Sequence, residues 1–167
     1  KGEKQGSVRA RQQILANAFG EALIVDVPRA QVSEDTGVFF VDDSIVARRK
    51  ISEVFDKLGV KHKHATNGLE AWGRLQGLAA HAQQTGAPLR DAVRLILVDA
   101  EMPEMDGYVL TKNIKGDSRF EGIPVVMHSS LSSEANRAMG QAVGVDAYVA
   151  KFDAEVLGDT LRPLLER

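Results

Sequence analysis

From Val38 onward, short apolar runs rich in β-branched and aromatic residues alternate with longer stretches of helical period. That rhythm predicts an α/β fold, a doubly wound parallel sheet with helices on both faces. The first run is Val38 to Val41, closed by Asp42 and Asp43. Ser44 to Leu58 then places Ile45, Val46, Ile51, Val54, Phe55 and Leu58 on one helical stripe, and Gly59 stops it. Val60 to Ala65 reads as an edge strand, and Asn67-Gly68 opens a helix carrying Leu69, Trp72, Leu75 and Leu78. Residues 79–94 continue as a helix end and a loop with Gly86-Ala87-Pro88. The most apolar run, Leu95 to Val98, ends at Asp99. After a loop marked by Pro103, Asp106 and Gly107 come a helix over 108–115, a strand over 125–127, a helix over 132–143, a strand over 147–150 and a helix over 154–166. Five strands and five helices are expected.

The first 37 residues fall outside this alternation. Residues 7–19 could form an amphipathic helix, 23–27 a short β-rich run ended by Pro28, and 29–37 a linker. The expected division is a linker or the end of an upstream domain over 1–37, then one domain over 38–167.

Composition narrows the possible chemistry. With 21 basic and 23 acidic residues, a net charge of -2 and no basic patch, the chain offers no footprint for nucleic acid. It has no cysteine, so thiolate sites and disulfides are excluded. No apolar stretch approaches the roughly 18 residues that cross a bilayer, and no signal-peptide pattern opens the chain, so a cytoplasmic protein is expected.

Open parallel sheets bind ligands beyond the carboxyl ends of their strands. Asp42, Asp43 and Asp99 stand at such ends, and three carboxylates within about 6 Å would repel and raise each other's pKa. A hard cation with oxygen ligands relieves this, and Mg²⁺ suits one or two carboxylates together with phosphate oxygens. Ser129 and Lys151 close the next two strands, adding a hydroxyl and a fixed cation. Such a set matches phosphoryl transfer, in which catalysis is mainly positioning and charge neutralisation. Singly, these residues have plainer readings: Asp42-Asp43 as a helix cap, Asp106-Gly107 as turn chemistry, Ser129-Ser130 as a cap with Ser132 the better candidate, and Lys151 as a surface lysine. Only their recurrence at successive strand ends makes a site. His62 and His64 have metal-ligand spacing on the edge strand without an evident third ligand, and His128 beside Ser129 reads as packing.

Asp42-Asp43, the segment Asp99-Ala-Glu-Met-Pro-Glu-Met-Asp-Gly107, Ser129 and Lys151 together resemble the signature of response-regulator receiver domains, over about residues 36–167. Within that family, 125–132 and 147–153 are most similar to the receiver part of the CheV chemotaxis coupling proteins, which pair a CheW-like scaffold with a receiver. The resemblance implies the flavodoxin-like strand order 2-1-3-4-5. It implies that Asp99 is the nucleophile, taking a phosphoryl group from a CheA-like histidine kinase. Mg²⁺ would be held by Asp43, Asp99 and the Glu101 carbonyl, with Asp42 acting through water. Ser129 and Lys151 would contact the phosphoryl oxygens, and Tyr148 would be the aromatic switch. The implied partners are the kinase and, through a CheW-like domain, the chemoreceptor array, with the domain a monomer or weak dimer.

Three positions depart from the family pattern. Phe152 follows the lysine where most receivers carry a cis proline; a cis bond to a non-proline residue costs about 2.5 to 4 kcal/mol, so a trans bond is expected. Glu101 and Leu131 flank the path of the hydrolytic water, and the apolar Leu131 suggests slow loss of the phosphoryl group. The alternatives are a receiver governing a DNA-binding or enzymatic output, and a phosphatase of the haloacid dehalogenase type. The chain stops just after its last helix and carries extra residues before its first strand, which favours an upstream partner over the first. The second wants Asp, not Glu, two residues after the nucleophile.

Overall fold

The computed structural model describes residues 26–130, 134–151 and 153–167. The amphipathic segment 7–19, most of the run 23–27, Leu131, the Ser132 cap and the Lys151–Phe152 bond lie outside the described residues.

Five parallel strands form one sheet: β1 (Gly37–Val41), β2 (Lys61–Ala65), β3 (Ile96–Asp99), β4 (Val125–Ser129) and β5 (Ala147–Ala150), in the order β2-β1-β3-β4-β5. This is the expected order. Side chains alternate across the strands and so divide the core in two. Val38, Phe40, Leu95, Leu97, Val126 and Val149 face one cluster, whereas Phe39, Val41, Ile96, Val98 and Val125 face the other.

Helix α1 (Ile45–Leu58) begins where the Ser44 side chain accepts from the Ala47 N–H and ends at Gly59, whose φ of 82° is left-handed. It buries Ala47, Ile51, Val54, Phe55 and Leu58 in the first cluster. Ile45 and Val46, expected on that stripe, are exposed, because they occupy its first turn past the end of β1. Helix α2 (Gly68–Thr85) is capped by Asn67 and buries Ala71, Leu75 and Ala79 on the opposite face of the sheet, while Leu69 in its first turn is exposed. A one-turn helix, α3 (Leu89–Ala92), lies within the stretch expected to be loop; Pro88 sets its start and Leu89 anchors it in the core. Then follow α4 (Gly107–Lys115), a 3₁₀ turn at Ser118–Phe120, α5 (Glu134–Val143) and α6 (Ala154–Glu166). Six α-helices are thus present among the described residues, one more than expected.

The segment preceding β1 packs against the domain. Val27 and Ala30 are buried in the cluster between α1 and α6. The Ala30 N–H donates to the Leu58 carbonyl at 2.9 Å, and Arg162 Nε donates to the Pro28 carbonyl at 3.1 Å. A Cβ at Gly158 would stand 2.7 Å from Val27, so α6 accepts this strap only where it lacks a side chain.

Candidate functional site

The register of the sheet brings the site together. Asp42 follows β1, Asp99 ends β3, Ser129 ends β4 and Lys151 follows β5. Phe40, Leu97 and Val126 point into the α1/α6 cluster, so by the two-residue period Asp42, Asp99 and His128 point the same way one step beyond the hydrocarbon. All three are buried.

Lys151 Nζ lies 2.8 Å from Asp99 Oδ1 and 3.2 Å from Asp42 Oδ2, the latter an ion-pair contact whose angles fall short of a hydrogen bond. Asp42 Oδ1 accepts from the Ser44 N–H at 2.8 Å, and Asp99 Oδ1 accepts from the Glu101 N–H at 3.1 Å. The second oxygen of each aspartate, and His128 Nε2 at 3.4 Å from Asp42 Oδ2, have no hydrogen-bond partner among the described residues. Burial pushes the Asp99 carboxyl up to about 7; the hydrogen bond to Lys151 opposes this and the charge of Asp42 adds to it. Burial works to lower the Lys151 ammonium, but its hydrogen bond to Asp99 and the charges of Asp99 and Asp42 outweigh that and hold it above its ordinary value. Burial and the neighbouring Lys151 depress the His128 imidazole to about 3, so the ring is neutral near pH 7.

Asp42, Asp99 and His128 each offer a ligand atom, all within 4.8 Å of one another, and they form the one such group found among the described residues. His62 and His64 belong to no group of this kind; His62 Nε2 pairs instead with Asp56 Oδ1 at 2.9 Å. Two buried carboxylate oxygens without a hydrogen bond among the described residues are costly as they stand, although Asp42 Oδ2 keeps its ion-pair contact with Lys151. Oxygen-preferring dications fit them, and a nitrogen at the third corner is the part of the set that a hard ion does not need.

Asp43 is exposed beside this cluster. Glu101 is half-buried and turns its carboxylate toward β4: Ser129 Oγ donates to its Oε2 at 2.5 Å, while Ser130 Oγ and the Ser130 N–H donate to its Oε1 at 2.8 and 3.1 Å. The loop that carries Glu101 approaches closely. A Cβ at Gly107 would meet the Asp99 carbonyl at 2.2 Å, so glycine serves here through its missing side chain and not through turn geometry. Asp106 caps α4 through the Val109 N–H at 2.9 Å.

Tyr148 on β5 lies half-buried against Gly140 of α5, where a Cβ would stand 3.0 Å from the ring. The Arg137 guanidinium sits 5.2 Å from its ring centroid. Tyr108 of α4 hydrogen-bonds to Tyr148; burial first, and that bond second, raise the Tyr108 hydroxyl above its ordinary value. Sequence reasoning passed over Tyr108, the chemistry of His128 and the Ser130 hydroxyl. The signal for His128 was register, since it pairs with Asp99 across β3 and β4.

Comparison with known proteins places the fold and the sequence in a family. Chemotaxis protein CheV3 of Helicobacter pylori is 33% identical over 130 residues, covering 78% of this chain and 41% of that protein. The chain spans about two-fifths of the length of this relative and of CheV2 from the same organism. Chemotaxis protein CheY1 of Helicobacter pylori is 32% identical over 75% of this chain and 93% of its own length. The crystal structure of CheY4 from Vibrio cholerae superposes with a TM-score of 0.62 at 28% identity, over 77% of this chain and 98% of that one. The model of the response regulator receiver domain matches residues 38–162, and this chain belongs to that family.

Proposed function

We propose that this domain accepts a phosphoryl group on the Asp99 carboxylate from the phosphohistidine of a CheA-type kinase, in chemotaxis signalling. The observation that carries the reading is Asp99 Oδ2: a buried oxygen with no hydrogen-bond partner among the described residues, on a carboxylate whose other oxygen is fixed by Lys151 and the Glu101 N–H. In the transfer, an Asp99 oxygen bonds to phosphorus as the phosphorus–nitrogen bond of the donor breaks, and the imidazole leaves with the electron pair. Lys151 and Ser129 lie beside the acceptor and would offset the charge of the phosphoryl oxygens. Asp42, Asp43, Asp99 and the Glu101 carbonyl would hold Mg²⁺, which supplies charge neutralisation when bound. The chain is thus a signalling phosphoacceptor that catalyses only its own phosphorylation and slow dephosphorylation.

Similarity to CheV and CheY proteins supports the chemotaxis setting, with a CheW-like domain linking this receiver to the array in the cytoplasm. Tyr148, held between Tyr108, Arg137 and Gly140, is the group through which movement of Ser129 reaches the surface of α5, β5 and α6.

Acetyl phosphate with Mg²⁺ should give one acid-labile adduct per chain, and Asp99→Asn should give none. Equal labelling of Asp99→Asn, or release of phosphate through many cycles, would overturn the reading.

A further inference from the structure

The tip of β4 already holds an anion, and that anion belongs to the chain itself. Two hydroxyls and one backbone N–H, from Ser129 and Ser130, converge on the Glu101 carboxylate at 2.5 to 3.1 Å. Charge-assisted bonds of this kind are roughly twice as strong as neutral ones. The Glu101 backbone is tied to Asp99 through its N–H, so its side chain alone is able to leave without moving the acceptor.

A phosphoryl group on Asp99 would present three anionic oxygens beside the same serines. It could not share those donors with a carboxylate, because the two like charges would repel at contact distance. A cradle of hydroxyls and an N–H suits either oxyanion, and neither occupant requires a different backbone.

We propose that Ser129 and Ser130 form an oxyanion cradle that the Glu101 carboxylate fills in the resting domain, and that a phosphoryl group on Asp99 takes over this cradle by displacing Glu101. The Ser130 hydroxyl thereby becomes an additional phosphoryl ligand, and Glu101 a positioning residue that sets how readily the site is occupied. No covalent bond changes beyond the transfer itself; the three hydrogen bonds exchange one acceptor for another. The inference rests on Asp99 being the acceptor.

The test is calorimetric titration of the full chain, in the presence of Mg²⁺, with fluoroberyllate, an anionic tetrahedral probe that attaches to a carboxylate as a phosphoryl group does. Wild type, Glu101→Gln and Glu101→Ala are compared, each checked by its thermal melt. Both variants should bind about tenfold tighter than wild type, because the probe no longer competes with a resident anion. In the Glu101→Gln background, Ser130→Ala should then weaken binding several-fold, since one donor to the probe is lost. Gln matches Glu in shape, so a packing role would leave Glu101→Gln at wild-type affinity. That result, or weaker binding by both variants, overturns the exchange while leaving the acceptor reading in place. A wild-type chain that does not bind the probe at all overturns both.

Discussion

Phe40 and Asp42 lie on the same side of the sheet two residues apart, and Leu97 and Asp99 stand in the same relation on β3. All four are fully buried. For Phe40 and Leu97 burial is the source of stability, since hydrocarbon leaves water and packs against α1 and α6. For Asp42 and Asp99 the same burial is a cost, and each keeps an oxygen with no hydrogen bond among the described residues. Two neighbouring layers of one sheet thus follow opposite rules, the apolar layer supplying the rigidity that holds the polar layer in a state it would not choose. Strain of this kind at a strand tip is what a ligand can relieve.

The comparison breaks first at the apolar layer. Phe40→Ala should cost about 4 kcal/mol in urea unfolding, the usual loss for a buried aromatic. A loss under about 1 kcal/mol would mean that the layer is not what holds the tips. Gly107→Ala, where a Cβ would press on the Asp99 carbonyl, should cost about 2 kcal/mol and loosen the acceptor strand.

The polar layer should respond in the opposite direction. Asp99→Asn is expected to stabilise the metal-free domain by about 2 kcal/mol at pH 8. The folded carboxyl titrates near 7 and the unfolded one near 3.8, so the folded state holds the extra proton between those values. Wild-type stability therefore falls as pH rises across that window, the variant lacks this fall, and the gap should close below pH 4. Urea unfolding at pH 4 and pH 8 without Mg²⁺ measures it; a variant less stable at pH 8 would refute the contrast. The smallest effect belongs to Thr111, buried on α4 with a hydroxyl that has no hydrogen-bond partner among the described residues. Thr111→Val should gain up to about 1 kcal/mol and leave phosphoryl acceptance unchanged. Destabilisation there would show that the Thr111 hydroxyl contributes to stability instead of costing it.

The strands and their terminal residues were legible because apolar runs that end abruptly in Asp42, Asp99, Ser129 and Lys151 leave few ways to build a parallel sheet. Helical period was less informative. It places Ile45, Val46 and Leu69 on stripes without saying whether anything covers them, and first turns at the strand tips are left uncovered. The helix over Leu89–Ala92 is a single turn, too short for periodicity to register. His128, Tyr108 and the Glu101 side chain acquire their surroundings from elements distant in the chain, and a linear pattern carries no record of such pairings. The expectation of a linker over 29–37 rests on composition, which carries no record of how Val27 and Ala30 pack beside α6.

That packing bears on how the receiver could be moved between proteins. The family match begins at residue 38, yet Val27 and Ala30 contribute to the interior from outside it. A transplant cut at the conventional boundary would open a slot along Gly158 and discard the Arg162 contact to Pro28. Any chimera built on this receiver should therefore carry residues 26–36 as cargo, and whatever is fused ahead of them would pull directly on the last helix.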